Sequence, residues 1–442
     1  MKKLLIIYPH WYPSNLAGVH RARLTGNYLY EFGWKPIILT VKPEYYEEVP
    51  DTDMHRLFSP HFTEYRVDAW KAGKPHLIGD IGLRAFWSLY RKGKEIIRNE
   101  KPDFLWIPIP SFYTSLLGRL LNNKTGIKYG IDYIDPWVRD ISKDGSIRAH
   151  LSLWIAKLLE PIAVKKASLI TGVAFEYYKP VLDRNFRIKN QEPRVKNYDP
   201  ESSIDIQSLR LKVRDSEYII HNCAFPYGFD PHDHEIDLPG LKLPWDDRPG
   251  CKPIVYAGAF MPNSQMFLTI FFKAFAALNR AGQIPENVHL YFLGTGLYPH
   301  KRITAYAADY GIEARVTEIR DRFPFLHILN FLAKSNKLLI IGSTEKHYTA
   351  SKTFQVILSK RPFLGMFHCE STAVQILKET KTDGYLIRYR PDEKEETFYL
   401  NTENVLHKFV VDKESWIPEY SALNSYSARD SARALSGAME GY

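Results

Sequence analysis

The sequence predicts an α/β protein made of two domains, each built on a parallel β-sheet. The chain has 442 residues, which favours two domains over one. Short apolar runs alternate with amphipathic stretches along most of its length, as in parallel α/β sheets. The clearest unit spans residues 336–367, where an apolar run, a polar loop, a helix and a second apolar run follow in order: NKLLIIG, STEKHYTA, KTFQVILSK and PFLGMF.

The composition is that of an ordinary globular protein, with 45% hydrophobic and 25% charged residues. No apolar run reaches the roughly 18 residues of a membrane-spanning helix. The first residues, MKKLLIIYPHWYP, have too short an apolar core for a signal peptide, so we predict a first strand and a cytoplasmic protein. The three cysteines have no metal or redox spacing, which fits a reducing compartment.

Positive charge is concentrated in the first part of the chain. Residues 1–175 contain 25 Lys and Arg against 17 Asp and Glu, an excess of 8 within a total of +9. An anionic partner is expected, and because no nucleic-acid motif is recognised we favour an anionic membrane surface or acceptor. The basic stretches 82–101 and 147–166 could lie on a membrane. The alternative is that both are packed helices with a solvated charged face.

The first half begins with a strand, KLLIIYP, a loop containing Gly18, and a predicted helix over 19–32 that Gly33 ends before the strand PIILTV. Gly18 could be only a turn glycine, and Arg21 only a surface charge. Two further predicted strands, FLWIPIP and KYGIDYIDPWVRD, lie between the basic stretches 82–101 and 147–166. Asp135, at the end of the second, could position an acceptor hydroxyl or act as a base. Alternatively it caps a turn or pairs with Arg139.

The second half opens after a segment, 231–252, that is rich in Pro, Asp and His and is predicted as a linker or insertion. His232 to Glu235 could suggest a metal site, but consecutive residues seldom converge on one ion, so a solvated loop is favoured. The strands PIVYAGAF and VHLYFLGTG end at Gly258 and Gly294. Ser351 and Lys352 place a hydroxyl and a cation at a helix N-terminus, an arrangement that favours phosphate.

These motifs, in this order, resemble those of glycosyltransferases with the two-domain GT-B fold, of the retaining family-4 type. In the first half, Gly18, Arg21 and Gly33 match the family's first βαβ unit. The segment from Asp132 to Trp137 is similar to the family's D-x-R-D-P-W motif. In the second half, the residues that fit the family's donor-site helix are Ser351, Lys352, Phe354, Lys360, Arg361 and Pro362.

The resemblance implies two Rossmann-like domains facing across a cleft, with a C-terminal helix crossing back to the first domain. The acceptor-binding domain would comprise residues 1–230, rejoined by 415–442, and the nucleotide-sugar domain residues 250–414. The implied activity is transfer of a hexosyl group from a nucleoside diphosphate sugar, UDP favoured over GDP, to a glycan or polyprenyl-linked acceptor. The setting would be cell-surface polysaccharide or glycoconjugate synthesis on the inner face of the cell membrane, with no metal and no further cofactor.

The resemblance also assigns site residues. The implied catalytic residues are Asp135 and Lys352, and the implied acceptor-side residues are His20, Arg21 and Trp137. The donor-binding residues would be Gly18, Gly258, Gly294, Arg320, Thr349, Ser351, Lys352 and Gln355.

Several family residues are replaced in this chain. Gln355 and His347 stand where the family has glutamates, and Ala259 stands where it commonly has an arginine for the donor diphosphate. The family's first-domain histidine is absent from the loop IPSFYT; His10 and His20 are the candidate substitutes. A catalytically inactive GT-B-like protein that binds a sugar nucleotide or a partner protein therefore remains the alternative. A sugar-nucleotide epimerase is disfavoured because few acidic and histidine residues fall at the expected strand ends.

Overall fold

The computed structural model describes residues 1–71, 79–138, 146–186, 194–195, 206–213, 216–296, 301–346, 352–412 and 417–440. The chain divides into two compact units. The first comprises Met1–Asp230 together with Ser425–Tyr442, and the second comprises Pro231–Asn424.

The described strands of the first unit form one nine-stranded sheet in the order β3-β2-β1-β4-β5-β6-β9-β8-β7. The strands are β1 Lys2–Ile7, β2 Trp34–Val41, β3 Thr63–Val67, β4 Phe104–Ile109, β5 Tyr129–Tyr133, β6 Leu169–Gly172, β7 Arg194–Val195, β8 Ile206–Val213 and β9 Ser216–Ala224. From β3 to β9 every pairing is parallel, whereas β8 and β7 add antiparallel edge strands. The order 3-2-1-4-5-6 is that of a Rossmann fold.

Helices cover both faces of this sheet. They are α1 Ala17–Tyr28, α2 Ile81–Arg84, α3 Phe86–Glu100, α4 Ser115–Thr125, α5 Ile147–Val164, α6 Phe175–Phe186 and, at the C-terminus, α13 Ala428–Glu440. The main core lies under α3, α4 and α5, where Leu89, Leu121 and Val164 pack against strand residues such as Ile37. Gly33, at φ 78°, ends the helical segment after α1 by donating its N–H to Leu29 and Tyr30 carbonyls.

The second unit repeats the 3-2-1-4-5-6 strand order in a six-stranded sheet. Its described strands are β10 Lys252–Ala257, β11 Val288–Leu293, β12 Val316–Ile319, β13 Lys337–Ile341, β14 Phe363–His368 and β15 Leu386–Tyr389, all parallel in the order β12-β11-β10-β13-β14-β15. Its helices are α7 Gln265–Arg280, α8 Ile303–Ala308, α9 Phe325–Lys334, α10 Lys352–Leu358, α11 Thr372–Glu379 and α12 Glu395–Val411. The strand orders of both units place the β1–β4 and β10–β13 switch points at the carboxyl edges of the sheets, where such folds bind ligands.

The structure confirms the predicted α/β class with two parallel-sheet units. The parallel part of the first sheet continues beyond β6 to β9. The segment 231–252, predicted as a linker or insertion, falls in the second unit, where the Asn330 side chain bonds the main chain of Ile236 and Leu238.

The C-terminal helix α13 returns to the first unit, as predicted. Arg429 pairs with Glu31 at 2.7 Å, and the Ala428 N–H donates to the Phe229 carbonyl at 2.9 Å. Residues 417–424, which the prediction grouped with this helix, lie in the second unit. Among the helices in the described ranges, none is both long and apolar enough to cross a membrane.

Candidate functional site

Lys352 lies at the carboxyl edge of the second unit's sheet, at the first residue of α10. Its ammonium group donates to Tyr256 Oη at 2.7 Å and to the Ala259 carbonyl at 3.2 Å, and it lies 4.3 Å from the centre of the Tyr256 ring. The Tyr256 hydroxyl in turn donates to the same Ala259 carbonyl. We call Tyr256, Gly258, Ala259 and Lys352 the Lys352 cluster. Tyr256 was not among the predicted site residues.

The partners of Lys352 are neutral oxygen atoms, and within the described part of the chain no carboxylate pairs with its ammonium group. Desolvation lowers the pKa of this ammonium group to about 7. A cation that is partly desolvated and lacks an anionic partner gains most from an anionic ligand, because such a ligand restores the lost charge stabilisation. The cluster is therefore suited to phosphate or carboxylate.

Gly258 allows Lys352 to reach this position. Its φ of 119° is in a region that side chains rarely adopt, and a Cβ there would lie 2.7 Å from Lys352 Cε. The Gly258 N–H is already bonded to the Leu293 carbonyl at 2.8 Å. The predicted donor-binding glycine thus contributes space for the lysine rather than a backbone hydrogen bond to a ligand.

The loop after β11 is held by the strand next to it. The Gly294 N–H donates to the Ile319 carbonyl at 2.8 Å, and Arg320 Nε donates to the Gly296 carbonyl at 2.9 Å. Thr295 donates to Glu318 Oε1 at 2.9 Å, while Glu318 Oε2 accepts from the first main-chain N–H of α8. Two predicted donor residues, Gly294 and Arg320, therefore lie close together in the loop after β11, and the Arg320 side chain stabilises this loop.

Gln355 lies one turn along α10 from Lys352, on the same helix. Its side-chain oxygen accepts a hydrogen bond from His234 Nε2 at 2.6 Å. This leaves the Gln355 amide to act on a ligand as a donor, where a glutamate would act as an acceptor. Thr349, Ser351 and His347 lie outside the described residues.

The first unit carries a second cluster at the carboxyl edge of its own sheet. His10 follows β1, and its Nδ1 lies 2.9 Å from Glu48 Oε1. Burial alone would raise the pKa of Glu48, but the hydrogen bond and charge of His10 outweigh it and lower this pKa to about 2. We call Tyr8, His10, Glu48 and Asp80 the His10 cluster.

Asp80, at the start of α2, is the remaining member of the His10 cluster. It caps α2 by accepting the Leu83 N–H at 2.7 Å, and burial raises its pKa although the charge of His10 acts in the other direction. Tyr8 is buried, and desolvation raises its pKa, with the charges of Glu48, Asp80 and Asp135 adding to the effect. The edge therefore carries a histidine among several carboxylates. Glu48 and Asp80 were missed because no local pattern connects them to His10.

Asp135 and Trp137 follow β5 at this edge. Asp135 is half-buried and is close enough to Tyr8 for its charge to influence that hydroxyl. Trp137 stacks on Phe112 with ring centres 5.8 Å apart and meets Tyr113 edge-on at 6.0 Å. Gly18, in α1, packs directly on Tyr8. A Cβ added at Gly18 would lie 2.1 Å from the Tyr8 hydroxyl, so the glycine permits this close packing.

Two predicted acceptor-side residues are instead internal. Arg21 has no exposed surface and pairs through Nε and Nη2 with both carboxylate oxygens of Asp132, each at 2.9 Å. Its Nη1 donates to the carbonyls of Phe225 and Pro226, so the guanidinium is fully used inside the unit. His20 is 7% exposed, with Nδ1 3.4 Å from Arg23 Nη2. Of the two candidate histidines, only His10 belongs to the carboxyl edge.

The candidate metal residues do not assemble into a site at positions 232–235. His232 pairs with Glu235 on the surface at 2.9 Å, Asp233 is buried, and His234 bonds Gln355. Within the described ranges, ligand atoms of His368, Cys369 and Glu370 do lie within 4.8 Å of one another. There, His368 Nδ1 already accepts the Glu370 N–H at 3.1 Å, and Glu370 pairs with Lys346 at 2.9 Å.

No protein-family model matches the chain, and no curated protein matches its sequence. Solved structures do match over the whole chain. HepE from Anabaena, in complex with UDP and glucose, has 12% identity and a TM-score of 0.58, with 100% of both chains covered. A glycosyltransferase from Rickettsia africae has 12% identity and a TM-score of 0.54, covering 100% of this chain and 98% of that one. Sucrose-phosphate synthase from Thermosynechococcus elongatus has 13% identity and a TM-score of 0.53, covering 100% and 94%.

At these identities the likeness concerns the fold alone. It extends over both units, because all three matches cover the full length of this chain. The predicted GT-B architecture of two Rossmann-like units, with its C-terminal helix returned to the first unit, is confirmed.

Proposed function

We propose that this chain is a glycosyltransferase that uses a nucleoside diphosphate sugar. The second unit binds the donor, and the first unit binds a glycan or lipid-linked acceptor. The proposal rests on one observation above all: Lys352 holds a partly desolvated ammonium group at the carboxyl edge of a Rossmann-type sheet, bonded only to neutral oxygens among the described residues. HepE, which shares the fold, is bound to UDP.

Lys352 would act on the donor diphosphate. Glycosyl transfer breaks the bond between the anomeric carbon and a phosphate oxygen, and the leaving diphosphate then carries additional negative charge. A positioned cation stabilises that charge, and such electrostatic terms are usually large in catalysis. With Ala259 in place of the family arginine, this chain relies on Lys352, with Arg320, which bonds the Gly296 carbonyl, as a second candidate cation.

Gln355 would contact the donor ribose through its amide N–H. Because its oxygen is held by His234, the amide is oriented rather than free to rotate. We propose a UDP-sugar over a GDP-sugar on the resemblance of the helix motif, and transfer with retention on the same ground.

On the first unit, Asp135 and His10 are the candidates to receive the proton that the acceptor hydroxyl loses. Both lie at the carboxyl edge, and the Glu48 carboxylate fixes the His10 ring through Nδ1, leaving Nε2 for a substrate. Trp137, the third predicted acceptor-side residue, is 8% exposed and stacks on Phe112 within the core, so it supports this edge from inside.

The test is isothermal titration of UDP, GDP and their sugars into the wild type and Lys352→Gln. We expect binding of UDP and its sugars, weakened at least about tenfold in the variant, because a charge-assisted contact contributes about 1.5–3 kcal/mol. Lys273→Gln is a matched control, since Lys273 lies on α7 outside the Lys352 cluster, with its ammonium group 4.5 Å from the ring centre of Tyr399 on α12. Absence of binding by all nucleotides, or equal binding by Lys352→Gln, would reject the donor site.

Turnover separates the enzyme from the inactive alternative. Ala259 and Gln355 replace family residues, and this observation favours a protein that binds donor without transferring it. The assay measures UDP release from UDP-sugars with and without mixed glycan and polyprenyl phosphate acceptors. Acceptor-dependent release supports the transferase. Binding without release supports the inactive alternative, and conversion of the sugar without an acceptor indicates an epimerase.

A further inference from the structure

Helix α5 exposes large apolar side chains along one face. Ile147, Leu151, Trp154, Leu158 and Ile162 have relative exposures of 90, 55, 59, 50 and 45%. Their spacing of three or four residues places them on a single stripe of the helix. The opposite side is buried in the core through Ala156, Ala163 and Val164. The helix is therefore apolar on both its buried and its exposed side.

The charges of α5 are also unevenly placed. Its single acidic residue, Glu160, has a side chain only 1% exposed and accepts hydrogen bonds from Arg184 and Asn185. Its basic residues, Arg148 and Lys157, are exposed, as is Lys165 at the C-cap. The solvent-facing side of α5 thus combines apolar and cationic side chains and contains no acidic one.

The exposed face of α3 supplies more positive charge. Trp87, Arg91, Lys94 and Arg98 follow one another at spacings of four, three and four residues, and all are exposed. A shallow cavity of about 410 Å³ lies beside them, lined by Arg91, Lys94, Arg98 and Lys124 together with Glu95 and Thr125. The carboxylate of Glu95 accepts from Lys92 at 2.7 Å. The cavity is therefore cationic and of a size that suits a phosphate-containing headgroup.

These two faces belong to one layer of the first unit. Helix α4 contacts both α3 and α5; Gly93 of α3 lies against Leu121 of α4, and Arg119 of α4 donates to the Ile162 carbonyl of α5 at 3.1 Å. All three helices pack on the same core beneath them. We call the exposed apolar and basic residues of these helices the α3–α5 surface: Trp87, Arg91, Lys94, Arg98, Lys124, Ile147, Arg148, Leu151, Trp154, Lys157, Leu158, Ile162 and Lys165.

We propose that the α3–α5 surface docks on an anionic lipid bilayer. The α5 stripe enters the interfacial region, and the cations of α3 and α4 bind headgroup phosphates. Large exposed apolar patches mark interaction sites, and apolar side chains with Trp beside Lys and Arg fit the boundary between acyl chains and headgroups. The charge excess of 8 over residues 1–175 adds attraction to a negatively charged membrane. The proposal does not depend on the donor site.

The experiment is vesicle flotation of the full-length protein. The vesicles contain phosphatidylcholine alone or phosphatidylcholine with phosphatidylglycerol. We expect binding to the anionic vesicles, weakened by added salt because salt screens exposed charges. Replacing Leu151, Trp154 and Leu158 together by Ser should lower the partition coefficient at least about tenfold, through loss of apolar burial. Replacing Arg91, Lys94 and Arg98 together by Gln should also lower it at least about tenfold.

Leu400→Ser is the matched control for the apolar variant. Leu400 is 52% exposed on helix α12 of the second unit, close to the exposure of Leu151 and Leu158, and its replacement should leave binding unchanged. Since all substituted side chains are exposed, thermal unfolding should confirm intact folding.

Two results would overturn the proposal. One is a wild type that binds neither vesicle type at low salt. The other is evidence that the α5 stripe joins two copies of the chain. Light scattering would then show a wild-type dimer and a monomeric apolar variant, and the apolar variant would bind vesicles as well as the wild type does.

Discussion

Lys352 Nζ and Tyr256 Oη lie 2.7 Å apart, and the same ammonium group lies 4.3 Å from the centre of the tyrosine ring. The tyrosine replaces part of the hydration of the ammonium group without supplying a negative charge. The lysine is therefore kept in place and near its titration point. Because of this geometry, we expect the affinity of the second unit for an anionic ligand to depend on pH.

The first prediction concerns the pH dependence of diphosphate binding. Desolvation lowers the pKa of Lys352 to about 7, and a bound diphosphate would raise it again because opposite charges favour the ammonium form. Below pH 7 the lysine is already protonated and affinity is constant. Above about pH 7, the affinity for UDP should fall about tenfold per pH unit until the pKa of the complex is reached, with proton uptake on binding. Titration calorimetry of UDP in buffers of different ionisation enthalpy measures both effects.

A matched variant separates Lys352 from other titrating groups. Lys352→Gln should bind UDP weakly and with little change between pH 6.5 and about 8.5, because its side chain does not ionise. Between pH 7 and 10.5, the ordinary pKa of lysine, Lys352 is protonated in the unfolded chain but neutral in the folded one. Folding therefore requires loss of a proton or burial of a charge, and Lys352 destabilises the folded state at neutral pH. We therefore expect Lys352→Gln to melt no lower than the wild type. An unchanged pH dependence in the variant would contradict the assignment.

The second prediction concerns Gly258. Alanine there would place Cβ 2.7 Å from Lys352 Cε and would also strain a backbone at φ 119°. We expect Gly258→Ala to lower both the melting temperature and UDP affinity, the latter because Lys352 is displaced. Gly282→Ala is the control: it shares a positive φ of 69° but has no atom within 4 Å of the added Cβ. It should cost about 1 kcal/mol of stability and leave UDP binding unchanged.

The sequence was informative where a site residue is marked by its neighbours along the chain. Lys352, Gly258 and Gly294 all follow apolar strands or open a helix, and parallel topology brings such positions to one edge. Tyr256 could not be identified in this way, because its contact with Lys352 spans 96 residues. The contact between His10 and Glu48 spans 38 residues and follows from tertiary packing alone.

Arg21 illustrates the opposite error. A helical arginine near a glycine loop suggests a surface or ligand-binding charge, because arginine is seldom fully buried without a partner. The partner here is Asp132, 111 residues away on β5. Only its tertiary contacts with Asp132 and with the Phe225 and Pro226 carbonyls show that this arginine is internal.

The third prediction concerns the His10–Glu48 pair. The pKa of Glu48 is lowered to about 2 in the folded protein, from an ordinary value of 4.5. The ionised carboxylate therefore contributes its full stabilisation of the folded state at pH values above 4.5. That contribution should disappear as the pH falls from 4.5 to 2. We expect Glu48→Gln to lower the free energy of unfolding on the order of 2 kcal/mol at pH 6, with the difference from the wild type shrinking below pH 4.5. Urea unfolding across this range provides the measurement.

The same pair makes a kinetic prediction that a purely structural role would not. If Glu48 orients His10 as the proton acceptor, Glu48→Gln should reduce kcat more than it raises KM for the acceptor, since general bases contribute about 10²–10⁴-fold to rate. It should also move the pH profile of kcat/KM. A variant that loses stability but keeps kcat and its pH profile would leave Asp135 as the candidate base.

The fourth prediction tests the buried pair of Arg21 and Asp132. Both side chains have no exposed surface, and Thr171 donates to Asp132 at 2.6 Å while the Arg21 guanidinium stacks 4.0 Å from the centre of the Phe225 ring. Removing one charge leaves the other buried and unpaired, which typically costs about 3–5 kcal/mol. Asp132→Asn should therefore destabilise the first unit strongly, as measured by urea unfolding. Asp68→Asn, which breaks the exposed pair with Lys42 at 2.7 Å, should have little effect.

The buried pair also has a consequence for ligand binding. Because Arg21 and Asp132 belong to the first unit and Lys352 to the second, Asp132→Asn should lower stability without changing the affinity of the folded protein for UDP. Calorimetry well below the melting temperature of the variant distinguishes the two effects. A direct loss of UDP affinity in a folded Asp132→Asn protein would restore Arg21 as a ligand-binding residue, because it would show that the pair acts on the nucleotide and not only on the fold.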